Sequence, residues 1–491
     1  MNRKLYIICT AILLTVPLVS RSEELRLTLE DAIVMARKNS VGSAVALDEL
    51  RTAYWEWRTY QADRLPEIAL TATAPSYSDR YSSYMDADGN YSFVRSHSLD
   101  IQSKLSVTQN IPLTGGQLRL STTLDFLHQY GADKGNRFMT IPVALSLSQP
   151  IFGVNSLRWR GKIEPVRYSE AKVAFMSATE DVAQTTIGLF FNLILSRENL
   201  VTANLNLENA RKLYSVAKEK RAMGRISNND LLQMELNVLD AESQYTQSET
   251  TMKSNMFALR SHLNIDSDIE IYPVVPSSIP VARISYDHAL SEALANNKFA
   301  YNIRRRQLEA EYEVAKAKGD MRQVNLFVQV GYTGTDNRIG EAYSRLRSNQ
   351  LVEVGFSIPI VDWGKRKGKV KVAESNLRVT ESRLRQEATD FRQELYVLVE
   401  RYSNQGRQLE NATRAYEIAK QRYDTNVQTY LIGMISTLDL NDSQQRKDES
   451  MRNYINELFL LWNYWYQIRS ITLFDYQANT PIDNDVSRYI E

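Results

Sequence analysis

Side chains able to do acid–base, nucleophilic or metal chemistry are scarce in this 491-residue chain. It has four histidines, His97, His128, His262 and His288, no two of them at a metal-ligand spacing, and one cysteine, Cys9. The spacings H-E-x-x-H, G-x-S-x-G, G-x-x-x-x-G-K-[ST] and G-x-G-x-x-G are absent from the sequence. The zinc site, activated serine, phosphate cradle and dinucleotide turn that those spacings build therefore have no counterpart. The reading is of a protein that is not an enzyme and needs no cofactor or metal. Lys365, Arg366, Lys367, Lys369 and Lys371 form a basic run. It reads first as the solvated start of a helix, with contact to anionic lipid or cargo as the functional alternative.

What the chain does carry is one motif written twice. GRISNNDLLQ begins at Gly224 and GMISTLDLND at Gly433, 209 residues apart. The same offset relates Gln149-Pro150-Ile151-Phe152 to Ile358-Pro359-Ile360-Val361, Arg260-Ser261 to Arg469-Ser470, and Asp266 to Asp475. The halves also open alike, with LTLEDAIVMARKNS from Leu27 and ISYDHALSEALANN from Ile284, but here the offset is 257, so the first half holds about 48 extra residues. A constant offset over this distance is the mark of a duplicated half.

The elements around the motif are long helices. Leu193, Leu200, Leu207 and Tyr214 recur every seven residues beside a row of Leu189, Ser196, Ala203, Ala210 and Ala217. After the motif Leu231, Val238, Tyr245, Met252 and Leu259 continue the repeat, and at offset 209 stand Leu440, Lys447, Tyr454, Leu461 and Ile468, with Lys447 the polar exception. Such rows describe left-handed coiled-coil packing. Each half is expected to hold one helix from about Lys162 or Lys369 to the motif and another from the motif to about Leu263 or Thr472. The motif itself reads as a hairpin tip: Gly224 and Gly433 close one helix in the left-handed conformation, and Ser227 and Ser436 cap the next with Asp230 and Asp439 three residues on.

Between the helices the period changes to two. Val143, Leu145 and Leu147 alternate with Ala144, Ser146 and Ser148, and Val352, Val354, Phe356 and Ile358 form a similar row. Residues 68–74, 99–109, 118–126 and 324–332 alternate likewise. Strands with one apolar face fit a membrane barrel, where Trp159 and Trp363 would sit at an interface; a soluble sandwich would alternate in the same way.

Residues 1–22 combine a short basic start with an apolar run too short to span a bilayer, which reads as a cleaved export signal. The mature chain would then contain no cysteine and no disulfide. Net charge is +1, and loss of Arg3, Lys4 and Arg21 with that segment takes it to −2; nothing points to a nucleic-acid partner. The expected organisation is a signal (1–22), a first repeat (23–270), a linker (271–283), a second repeat (284–476) and a tail (477–491).

An export signal, two repeats of strands and very long helices, and G-x-x-S-x-x-D-L at each tip resemble the outer-membrane efflux proteins, the TolC-like channel-tunnels. The resemblance implies a mainly α fold with a transmembrane β-barrel, three chains closing the barrel and continuing as a coiled-coil α-helical barrel through the periplasm. It implies a homotrimer in outer-membrane lipid whose tips, Gly224, Arg225 and Ser227 with Gly433, Met434 and Ser436, dock a periplasmic adaptor, and an inner-membrane transporter that completes an efflux pump or type I secretion system. It also implies a pore constriction at Asp439 and Asp442 and closed-state links through Tyr430 and Asp230. Asp230 and Asp439 keep the alternative role of capping residues. Two departures stand out: Ile435 occupies the place of an expected arginine, and the extra residues raise the family's four strands per chain toward six unless that hairpin folds elsewhere. The alternative from another class is a soluble periplasmic coiled-coil scaffold or adaptor.

Overall fold

The computed structural model describes residues 24–482, apart from 74, 86–88, 131–133, 267–268, 277–278, 281, 323, 357–360 and 433. The expected export signal, Gly433, most of the Ile358–Val361 tetrapeptide and residues 483–491 of the expected tail lie outside the described residues. In chain order the elements are β1 (Glu24–Leu27), α1 (Leu29–Asn39), α2 (Val41–Ala62), β2 (Glu67–Ala72), β3 (Ser76–Met85), β4 (Tyr91–Ile111), β5 (Gly116–Gln129), β6 (Gly135–Ile151), α3 (Ser156–Ala222) and α4 (Asn228–Leu263). The second half continues with β7 (Glu270–Pro273), α5 (Tyr286–Asn296), α6 (Lys298–Asp320), β8 (Val324–Asp336), α7 (Ile339–Ser344), β9 (Arg347–Phe356), α8 (Lys365–Leu431) and α9 (Thr437–Thr472).

The duplication is visible in matched lengths: α3 and α8 each have 67 residues, and α4 and α9 each have 36. A 67-residue helix rises about 100 Å. The openings match as well. Thr28 caps α1 by accepting from the Asp31 backbone N–H at 3.1 Å, and Ser285 caps α5 from that of His288 at 3.3 Å.

The chain forms two compact units, one from the chain up to Ala44 with Thr179–Arg283 and Glu400–Gln467, the other from Val45–Ala178, Ile284–Val399 and the chain from Ile468 on. In the first unit β1 pairs with β7 in parallel. Its core contains Leu27, Leu29, Ile187, Phe190, Leu193, Leu259, Leu263 and Ile271 among the fully buried side chains. The small row holds as well, with Ser196, Ala203 and Ala217 buried. Lys447, the polar exception, keeps its heptad place because its ammonium lies 4.4 Å from the Tyr423 ring centroid and 3.1 Å from Asp448 Oδ1, so the charge is solvated by protein groups.

In the second unit Ala46, Leu50 and Phe175 form a small cluster, Phe299 stacks on Phe391 with centroids 4.5 Å apart, and Arg305 pairs with Glu170 at 2.6 Å. Beside its helices the unit holds one antiparallel sheet in the order β2-β4-β5-β6-β8-β9, with β3 also on β4. Since β2 and β3 lie end to end along β4, pairing with residues 103–108 and 91–100, the sheet has six strand positions.

Register separates its faces. One ladder crosses all six positions as Ile68, Val107, Leu120, Leu145, Val330 and Gln350. The neighbouring ladder, on the other face, reads Glu67, Thr108, Arg119, Ser146, Gln329 and Leu351. The apolar face is exposed at Ile68, Leu70, Leu105, Leu118, Leu120, Val143, Leu145, Val330, Tyr332 and Val352. On the polar face Arg119 donates to Thr108 Oγ1 at 3.3 Å and to Gln117 Oε1 at 3.1 Å. A soluble protein rarely leaves so continuous an apolar surface in water. From Leu118 to Phe126 the apolar row covers about 20 Å along the normal of a sheet tilted by ~40°, most of the ~25 Å band of a membrane strand.

Candidate functional site

The two tips are built by the same local rules. At the end of α3, Gly224 takes φ +72. Its N–H donates to Arg221 O and that of Arg225 to Lys220 O, each at 2.9 Å. This pair of bonds satisfies the last carbonyls of the helix and needs a left-handed residue at Gly224. Ser227 then opens α4 with a reciprocal capping box: Asp230 N–H donates to Ser227 Oγ at 3.1 Å, and Ser227 N–H donates to Asp230 Oδ2 at 3.1 Å.

The second tip repeats this. Met434 N–H donates to Thr429 O at 3.1 Å, the counterpart of the Arg225 bond. Ser436 N–H donates to Asp439 Oδ2 at 3.3 Å, and Asp439 N–H returns to Ser436 Oγ at 3.2 Å. Hydrogen bonds from the Ser436 side chain and backbone hold the Asp439 carboxyl below its usual range, since they favour the charged form. Asp230 and Asp439 are thus both capping residues at their own helix starts.

Asp442 has no capping part. It lies one turn further along α9 and accepts from Arg422 Nη2 at 3.0 Å and from Arg446 Nε at 3.2 Å. Arg422 belongs to α8, so this pair ties the two arms of the hairpin beside the tip. Asn426, on the same arm, donates to Asp439 O at 3.5 Å. Tyr430 is not joined to Asp230 within the chain; its ring lies 5.5 Å from the Lys220 ammonium. Ile435, at the place of the expected arginine, is half-buried.

Sequence reasoning missed Arg422, which stands eleven residues before Gly433 on the preceding helix. It also missed the apolar surface of the tips, where Met223, Leu232, Ile432, Met434 and Leu438 are all exposed. The second signal is legible in retrospect: these residues crowd a capped turn, where polar residues are the rule. Among the described residues no three His, Cys, Asp or Glu side chains converge in a metal-binding group, and no helix is long and apolar enough to cross a membrane.

The geometry thus offers a capped, apolar-tipped pair of hairpins and a sheet with one lipid-like face. Comparison with known proteins gives a consistent picture. The family model for outer membrane efflux protein matches residues 33–264 and 289–460. Among solved structures, the outer membrane channel CmeC of Campylobacter jejuni is similar at 18% identity and TM-score 0.62, covering 94% of this chain and 88% of that one. The outer membrane protein VceC of Vibrio cholerae is similar at 14% identity and TM-score 0.61, with 91% and 95% covered. The MtrE outer membrane channel of Neisseria gonorrhoeae, in its open state, is similar at 12% identity and TM-score 0.58, with 90% and 88% covered. At these identities the likeness is one of fold. No curated protein matches the chain.

Proposed function

The chain belongs to the outer membrane efflux protein family, with a TolC-like fold, and from that membership we propose that three copies form the exit duct of a tripartite efflux pump or type I secretion system. The observation that carries this reading is the sheet with one largely apolar exposed face across its six strand positions, in the same chain as two helical hairpins with matching tips. The apolar face meets outer-membrane lipid and the polar face lines an aqueous lumen. The hairpins reach into the periplasm.

In a trimer the tips number six, alternating between the Gly224 and Gly433 kinds. Their exposed Met223, Ile432, Met434 and Leu438 suit a periplasmic adaptor that docks by apolar contact around the capped turns, and an inner-membrane transporter would complete the conduit and choose the cargo. Asp439 and Asp442 would form two carboxylate rings about 4.5 Å apart along the axis, since three helical residues separate them. Such rings favour cations where the pore narrows.

The soluble-scaffold alternative has to hide the same apolar face from water, and among the described residues Ile68, Leu70, Leu120, Leu145, Val330 and Val352 on it stay exposed. Fractionation tests the proposal. A barrel stays in outer membranes through high salt and carbonate and leaves only with detergent, as a trimer by light scattering. Release by salt alone would refute it. Cross-linking in cells followed by identification of the inner-membrane partner then separates an efflux pump from a secretion exporter.

A further inference from the structure

Building on the trimeric reading above, we propose that every strand position is barrel wall, so that β9 of one protomer pairs with β2 and β3 of the next and three copies close an 18-strand barrel. Among the described residues, β2 and β3 pair only with β4, and β9 pairs only with β8. The outer edges of the sheet are therefore open, and backbone groups facing hydrocarbon must be paired. The apolar face that needs lipid runs up to both edges, with Ile68 and Leu70 exposed at one and Val352 at the other. A second copy of this chain is the partner that fits.

Direction agrees with this. Each step from β2 through β4, β5, β6 and β8 to β9 is antiparallel, so five reversals leave β9 antiparallel to β2. A seam between β9 and the β2–β3 edge of a neighbour would continue the alternation found everywhere else in the sheet. The faces match too: Ile68 and Leu70 at one edge and Val352 at the other share the apolar side, and Glu67 and Glu353 share the polar side.

The β4–β5 hairpin is the segment that makes the count unusual, and the structure fastens it into the wall. Its turn at residues 112–115 is held by Asn155 Nδ2, which donates to Pro112 O at 2.8 Å and Leu113 O at 3.2 Å, and by Gln149 Nε2, which donates to Thr114 O at 3.0 Å. From β4, Gln109 Nε2 donates to Arg64 O and Asn110 Nδ2 to Asp63 O, both at 2.9 Å. The hairpin is thus pinned to the end of α2 and the start of α3, where a wall strand must begin, and both of its strands are paired on both sides. Barrel diameter grows roughly linearly with strand number. Six strands per chain in place of four therefore give a lumen about half as wide again.

The absence of cysteine other than Cys9 makes the seam testable by disulfide trapping. In a Cys9→Ser background, Leu70→Cys is combined in turn with Ser348→Cys, Gln350→Cys and Val352→Cys, which share its face, and outer membranes are oxidised. At least one pair should yield covalent dimers and trimers and nothing larger, whereas Leu120→Cys with Val352→Cys should yield none. Trimers that form in the membrane but never link through these pairs would overturn the seam. Single variants Leu105→Cys and Leu120→Cys, spin-labelled and reconstituted, should be relaxed by lipid-soluble oxygen; relaxation only by an aqueous nickel chelate would put the hairpin outside the wall. A chain released by salt would defeat the channel reading itself, and the barrel with it, an outcome distinct from a membrane trimer with a different seam.

Discussion

Replacing Gly224 with valine isolates the conformational demand of a tip. Gly224 has φ +72, and a Cβ added there would meet no atom within 4 Å. Steric conflict with neighbours is therefore absent, and the whole cost is the left-handed backbone itself, about 1–2 kcal/mol for a non-glycine residue and largest for a β-branched one. That raises the population of opened tips roughly 5–30-fold. Hydrogen exchange of the peptide around residues 219–232 in assembled trimers reads this directly, because the Gly224 and Arg225 amides are bonded only while the turn is closed. Protection should fall in the order Gly, Asn, Ala, Val, since asparagine tolerates the left-handed region. Adaptor cross-linking should fall in the same order. Gly188, inside α3, is the internal control: it too has open space around a new Cβ but no positive φ, so Gly188→Ala should increase protection around it, by about 0.5–1 kcal/mol. Equal exchange in Gly224→Val and the parent, or an asparagine variant worse than valine, would refute the reasoning.

Three further outcomes are expected. Leu120→Arg, on the apolar ladder of β5, should cost about 2–4 kcal/mol if that residue lies near the bilayer midplane and should lower the yield of heat-modifiable trimers in outer membranes; normal assembly would remove β5 from the lipid-facing wall. In planar bilayers Asp439→Ala with Asp442→Ala should reduce cation selectivity and block by multivalent cations. Arg422→Ala, which frees Asp442 from its partner across the hairpin, should raise both; a shift in the same direction for both variants would place the constriction elsewhere. Thr186 Oγ donates to Val182 O at 2.8 Å, so the 2.9 Å bond to His262 Nε2 must be donated by the imidazole. Burial lowers the pKa of His262 below 6.5, so the unfolded chain binds the proton more readily. Stability from this group is full above 6.5 and is lost as pH falls through the lowered value. Thermal unfolding between pH 7 and 5 should show this loss, and His262→Gln should flatten it.

Much of the architecture follows from short stretches of sequence. The helices expected from about Lys162 and Lys369 begin at Ser156 and Lys365 and end at Ala222 and Leu431, and their partners end at Leu263 and Thr472 as expected. Heptad rows and capping boxes involve residues three, four and seven apart, so the information is contiguous. The alternation of residues 99–109 and 118–126 likewise becomes β4 and β5, and the expected choice between four and six strands resolves to six positions in one sheet.

Other features depended on how distant segments meet. The pairing of Asp442 with Arg422 requires two helices to be rotated so that residues twenty apart face each other across a turn. A sequence fixes the stripe on each helix but not that mutual rotation, so the pairing of Arg422 with Asp442 is not legible in it. The same holds for the sheet. Alternation marks two faces on each strand, yet a shift of one residue in register would turn any strand over. Only the ladder from Ile68 through Val107, Leu120, Leu145 and Val330 to Gln350 brings the apolar faces onto one side. Local periodicity thus determined which elements form, and long-range pairing decided which of their surfaces became a membrane wall, because register and helix rotation are set by contacts between residues that the chain keeps far apart.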